Sequence, residues 1–419
     1  MYVCNVNYFT LIKETIMLKE VLKSIIISQQ EWLAKEEREI PREHFDELKS
    51  LTPFGYILTG VRRSGKSTLM KQLMRHHGSV NYFNFEDSRA AGFEVNDFLI
   101  VEELFAEVMG MGTPQMMFFD EIQNVSGWER YVRNAIDRKK TVVITGSNAR
   151  LLSRELGTKL TGRHLDFEVF PFSYNEFLRY FNLQAGSQSF SSFISKGGFP
   201  EFLNMGKKEM LSTLVSDILI RDIFTRYNLR NQEVYRMIVQ FLLSNTGKEV
   251  SFNKIKNTFE IGSASSVMEF MNYLIDAYLI FLIPRYATSL KAQAKNPRKV
   301  YGIDQGLVNF SSVSGSPDLG RLLENTVYLY LRRSQKEIWY FKGKKECDFI
   351  CREGKNKYSA IQVTWQLGLQ NEKREIEGLL EAMNLLNLTE GTIITFDQED
   401  KVVKNGKTIM LIPGWKWMR

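Results

Sequence analysis

Apolar positions along the chain fall into two rhythms. Three short apolar, β-prone runs stand at residues 54–59 (FGYILT), 116–119 (MMFF) and 141–145 (TVVIT). Each is too short for a helix, so each predicts a buried strand. The stretch TLMKQLMRHH after the first run carries Leu69, Leu73 and Met74 at helical spacing, which predicts a helix packed on one face. Residues 217–228 (DILIRDIFTRYN) repeat the helical rhythm with interleaved charges. Asp217, Arg221, Asp222 and Arg226 are therefore expected to pair along an exposed helix face. From about residue 231 the rhythm changes. Helices are predicted in EVYRMIVQFLLSN, in SFNKIKNTFE with Ser251 as cap, and from Ser263 onward. The last of these runs into the strand-like YLIFLIP, and a second strand follows at KVYGID, residues 299–304. Beyond it come a helix in GRLLENTVYLYLRRS and three strand candidates within residues 337–367.

Chemistry enters at the ends of the first strands. GVRRSGKST, residues 60–68, fits G-x-x-x-x-G-K-[ST] and sits between a predicted strand and a predicted helix. In that context the glycines let backbone N–H groups turn inward around phosphates, and the helix start aims its positive end at them. Gly60, Arg63, Ser64, Gly65, Lys66, Ser67 and Thr68 are the candidate ATP-binding residues, with Lys66 reaching the β- and γ-phosphates. Ser67 and Asp120 are the candidate Mg²⁺ ligands. The run MMFFDEIQ ends in two carboxylates. A strand bearing acids at its C-terminal end brings them to the ligand edge of an open α/β sheet. Asp120 would serve the cation, and Glu121 would act as general base on a water. A protein that only binds a nucleotide has no use for the second acid. The third run, TVVITGSNA, ends in Ser147 and Asn148. Asn148 is the candidate contact to both γ-phosphate and water, and capping of the next helix is the other reading of this pair.

These residues, with LTGRHLDFEVFPFSYNEF at 160–177, resemble AAA-type ATPases of the additional-strand P-loop class. The nearest likeness is a prokaryotic group that combines a P-loop, DEIQ, Trp128, TGSN and a later GR…PFS…EF. The resemblance implies that Arg163, with Arg154 as competitor, is a finger or sensor arginine near a γ-phosphate. It implies a helical lid over 181–230, a winged helix over 231–305, and a start near Met17 (MLKEVL). The order of helix with Glu324, strand with Asp348 and strand IQVT resembles the PD-(D/E)xK nuclease fold over 306–419. An active site of that kind needs an acid two residues before a lysine on the next strand, because alternate residues share a face. Gln362 and Thr364 stand there instead, so poor magnesium binding and no nuclease activity are expected. The expected organisation is a helical segment over 1–50 and a three-layer αβα P-loop core over 51–180, then the lid, the winged helix and the nuclease-like domain.

Composition narrows partners and place only a little. The 419 residues are 44% hydrophobic and 25% charged, as in globular proteins, and no apolar run is long enough to span a bilayer. The N-terminus lacks a signal-peptide pattern, and three cysteines make no disulfide framework. A cytoplasmic location is expected. A net charge of +7 allows a nucleic-acid partner without demanding one. Lys291, Lys295, Arg298 and Lys299 form a basic stretch suited to DNA phosphates, or merely a solvated loop. A protein partner and an oligomer are both compatible with the sequence. The leading reading is an ATPase that rearranges its downstream modules; the alternatives are a DNA-binding regulator with ATP as structural ligand, and an ATP-dependent nuclease, which Gln362 and Thr364 oppose.

Overall fold

A computed structural model describes residues 8–34, 39–78, 81–110, 112, 114–147, 162–312, 318–334, 337–354 and 357–419. Asn148 and Arg154 lie outside the described residues. The chain packs as two compact units: residues 1–60 with 65–169, and residues 61–64 with 170–419.

The first unit is built on strands β1 (Gly55–Thr59), β2 (Tyr82–Asn84), β3 (Met116–Asp120), β4 (Thr141–Gly146) and β5 (His164–Glu168). They form one sheet in the order β2-β3-β4-β1-β5, and every pairing in it is parallel. Side-chain alternation divides the strands between two cores. Tyr56, Leu58, Phe118 and Val143 meet the helix Lys66–His77 through Leu69, Met70, Leu73 and Met74. Ile57, Met117, Phe119, Val142 and Ile144 face the other way. There they meet Leu22, Ile25 and Ile26 of the helix Tyr8–Ala34, and Phe98, Val101, Leu104 and Phe105 of the helix Asp97–Met109. Burial on both faces explains why these strands read as unbroken apolar runs.

In the second unit, helices Gln232–Ser244, Phe252–Thr258 and Ala264–Asp276 accompany a three-stranded antiparallel sheet whose first strand lies between the first two of them. Its strands β6 (Glu249–Val250), β7 (Ile280–Pro284) and β8 (Arg298–Gly302) lie in the order β6-β8-β7. The stretch between β7 and β8 contains a short helix, Leu290–Lys295, with exposed Lys291 and Lys295. Lys299 departs from the sequence expectation: it lies on β8 with 2% of its side chain exposed and takes no part in a solvated loop. The helix Leu319–Arg333 then leads into β9 (Glu337–Lys342), β10 (Glu346–Glu353) and β11 (Lys357–Val363). The helix Glu372–Leu385 follows, and then β12 (Glu390–Thr395), β13 (Asp400–Lys404) and β14 (Lys407–Pro413). These six strands form a mixed sheet in the order β13-β14-β12-β11-β10-β9. Ile376, Leu379 and Met383 of the helix pack on Ile350, Ile393 and Ile409 of the sheet.

The charged stretch 217–228 also differs from expectation. Ile218–Phe224 is π-helical, and the extra residue per turn rotates Asp222 inward. Asp222 is 3% exposed and pairs with Arg62 instead of lying on a solvated face. Among the described residues, no helix is long and apolar enough to cross a membrane.

Candidate functional site

The loop after β1 turns on two glycines with positive φ, Gly60 at 147° and Gly65 at 96°. Gly65 starts the helix Lys66–His77, and a Cβ there would lie 2.1 Å from the Arg42 guanidinium. Both the left-handed backbone and the contact therefore require glycine. The helix presents its N-terminal N–H groups at Lys66, Ser67 and Thr68. Lys66 is buried, donates to the Gly60 carbonyl at 3.1 Å, and stands 3.8 Å from the Glu121 carboxylate.

The paired acids at the end of β3 have different surroundings. Asp120 is 1% exposed. It accepts from Tyr82 Oη at 2.9 Å, from Thr145 Oγ1 and from Ser67. Burial and the neighbouring Glu121 charge raise its pKa above the usual carboxylate range. A hydroxyl and a carboxylate are hard oxygen donors. Ser67 and Asp120 thus fit a magnesium ion and would be the groups to hold it.

Glu121 is turned away from the strand direction by a left-handed backbone, φ 53° and ψ 45°. For a residue with a Cβ this costs on the order of 1 kcal/mol. Its N–H donates to Thr145 Oγ1 at 2.9 Å, which fixes the turn. Gln123 Nε2 donates to one carboxylate oxygen at 2.5 Å, and Lys66 faces the other. The result is one acid wrapped in donors and a second held beside the lysine of the phosphate loop.

The structure brings together Gly60, Gly65, Lys66, Ser67, Thr68, Asp120 and Glu121. Arg163 stands apart from them. It precedes β5, at the end of the sheet opposite the phosphate loop, and a five-residue strand separates the two ends by roughly 16 Å. Its guanidinium is 57% exposed and pairs with Asp137. Arg63 and Ser64 belong to the second unit. Arg63 pairs there with Glu201 at 2.7 Å and Asp217 at 3.5 Å, while Arg62 pairs with Asp222 at 3.4 Å. Sequence reasoning does not find Thr145, Tyr82, Gln123 or Arg42. Only Thr145 leaves a signal, as a polar residue closing an apolar run. Tyr82 becomes visible only through the strand order, and Gln123, although part of the DEIQ run, only through the left-handed turn at Glu121.

Residues 54–178 match a family model described as an AAA domain, and residues 187–317 match a domain of unknown function. An uncharacterized protein of Methanocaldococcus jannaschii is 32% identical over 431 aligned positions, covering 95% of each chain. An uncharacterized protein of Haemophilus influenzae is 29% identical over 391 positions, covering 87% of this chain and 94% of its own. Two solved structures share 12% identity. The Aeropyrum pernix ORC2 protein in its ADP form has a TM-score of 0.30, covering 57% of this chain and 83% of that one. CDC6P from Pyrobaculum aerophilum has a TM-score of 0.27, covering 71% and 96%. At those scores neither carries an argument.

Proposed function

The chain belongs to the family of the Methanocaldococcus jannaschii protein, with an AAA domain at residues 54–178, and on that premise we propose that it binds ATP with Mg²⁺ and hydrolyses it. The observation that carries this reading is the division of labour between the adjacent acids. Asp120 is enclosed by hydroxyls, whereas Glu121 is turned out toward Lys66. A bound magnesium would supply charge to the phosphate oxygens. The loop N–H groups and Lys66 hold the β- and γ-phosphates, so the substrate is oriented before reaction. Glu121 accepts the proton of the attacking water. Asn148 is proposed as the polar contact to γ-phosphate and water. Arg163, far from the loop of its own chain, suits a finger directed at the nucleotide of another copy.

The downstream unit is read as a winged helix followed by a nuclease-like body. The order helix, β6, helix, helix, β7, β8, with the three strands in one antiparallel sheet, supports the first assignment. The order helix, β9, β10, β11, helix, β12, with β11 parallel to β12, supports the second. The ATPase then acts by changing the relation of these modules to DNA or to a protein partner in the cytoplasm. Turnover is tested by an ATPase assay paired with nucleotide titration. Lys66→Ala should lose ATP binding. Glu121→Gln should bind ATP as wild type does and lose at least tenfold in kcat. Wild-type turnover by Glu121→Gln would remove Glu121 as the base.

A further inference from the structure

The C-terminal part of the second unit holds an open polar cleft of about 820 Å³, lined in part by Glu324, Glu346, Asp348 and Gln362. Three of its carboxylates converge from two elements. Glu324 comes from the helix Leu319–Arg333, and Glu346 and Asp348 come from β10. Asp348 is fixed from behind, since its Oδ2 accepts the Val363 N–H at 3.0 Å. Such a convergence would draw a divalent cation, and the resemblance of this region to metal nucleases implies one. The residues present do not fit it.

We infer that the cation position of this cleft is permanently filled by the ammonium of Lys299, so that the cleft takes no divalent metal. Lys299 Nζ lies 3.0 Å from Glu324, 2.7 Å from Glu346 and 2.9 Å from Asp348. An ammonium has three N–H donors and no acceptor, and here three carboxylates take them. Oxygen ligands surround a magnesium or calcium ion at about 2.0–2.6 Å, so the same three groups could close on a metal only after the lysine left. Leaving is opposed by the fold. Lys299 sits on the central strand β8, hydrogen-bonded to β6 on one side and β7 on the other. Two residues along the same face, Tyr301 donates to Glu324 at 2.7 Å. The lysine is thus tied to a paired strand and cannot swing away like a surface side chain. Removing it alone would leave the largely buried Glu324 and Asp348 without their counter-charge, which is costly.

The position of the missing fourth ligand agrees. Gln362 uses both ends of its amide inside the protein, accepting the Asp348 N–H at 3.1 Å and donating to Glu375 at 2.5 Å. It offers no charge to a cation. The lysine absent from residue 364 is therefore replaced in charge by one brought from β8. That lysine occupies the carboxylates themselves and does not stand beside a metal.

Mn²⁺ titration followed by electron paramagnetic resonance, without nucleotide, tests the assignment on the full chain. Wild type and Asp348→Asn should give superimposable curves. Lys299→Met should gain one site at least tenfold tighter than any binding in wild type, and Lys299→Met with Asp348→Asn should lose it again. A site in wild type that Asp348→Asn weakens would overturn the proposal, as would a folded Lys299→Met that gains nothing. Should Lys299→Met fail to fold, the wild type itself decides. Lys299 should resist an amine-acylating reagent, read by peptide mass spectrometry, equally with and without millimolar Mn²⁺. Acylation of Lys299 promoted by Mn²⁺ would mean that the metal displaces the ammonium, and the assignment would fall.

Discussion

Thr145 ties the two acids of the AAA domain into one unit. Its hydroxyl donates to Asp120 and accepts the N–H of Glu121. Both bonds are buried. Thr145→Val keeps the shape and removes both bonds. The Glu121 N–H is left unsatisfied, at a cost of about 1–3 kcal/mol, while Asp120 keeps Tyr82 and Ser67 as donors. Part of that cost falls on stability, and part on the left-handed turn that aims Glu121. The expected outcome is a kcat lower by about tenfold or more with KM for ATP within a few-fold. Thr145→Ser should restore most of it. If Thr145→Val changed only thermal stability and left kcat intact, the hydroxyl would be a core contact without influence on the proposed role of Glu121.

Elements that bury apolar surface on both faces are legible in the chain's own apolar pattern. The runs at 55–59, 116–120 and 141–146 form strands because continuous apolar sequence at that length has few other uses. The glycine loop is legible because its backbone demands narrow its sequence. What stays hidden is pairing between distant positions. Gly198 donates its N–H to Asp304 at 2.6 Å, and a Cβ on it would lie 2.2 Å from the Phe172 carbonyl. Nothing local to residue 198 announces residues 172 or 304. The π-helix Ile218–Phe224 is invisible for a similar reason, since its apolar spacing imitates an α-helix over two turns. Its consequence is testable. Asp222 is 3% exposed and faces Arg62, whose side chain is 15% exposed. Asp222→Ala should destabilise the protein by about 3 kcal/mol, because it strands a largely buried guanidinium. Arg62→Ala combined with Asp222→Ala should be milder than the sum of the two single changes. Strict additivity in a denaturation cycle would mean that the pair carries no coupling.

For the whole molecule, one buried acid sets an acid-side preference. Asp304 is pushed up to about 6, chiefly by burial. An acid whose folded pKa exceeds its unfolded value keeps a proton that the unfolded chain has released. Its stabilising share is complete below about pH 4 and is lost as the pH rises through 6. The contribution is on the order of 1–3 kcal/mol. Wild type should therefore melt a few degrees lower at pH 7.5 than at pH 5.5, and Asp304→Asn should flatten that difference. An equal slope in the variant would shift the pH dependence to other groups. The net charge of +7 raises the remaining question of a polyanionic partner. Lys299 can take no part in one, because it is buried among carboxylates. Lys291 and Lys295, exposed on the short helix between β7 and β8, are the groups available to phosphates there. Contacts of this kind are tolerant of sequence and release counterions, so each lost lysine should reduce the slope of log K against log salt by about one. Affinity for two unrelated duplexes across a salt series is the measurement. Lys291→Ala and Lys295→Ala should weaken both complexes alike and lower the slope by about two together. No binding at low salt would remove DNA as a partner. Binding with an unchanged slope would move the contact elsewhere, with the exposed Lys344 and Lys345 at the mouth of the C-terminal cleft as the next pair to substitute.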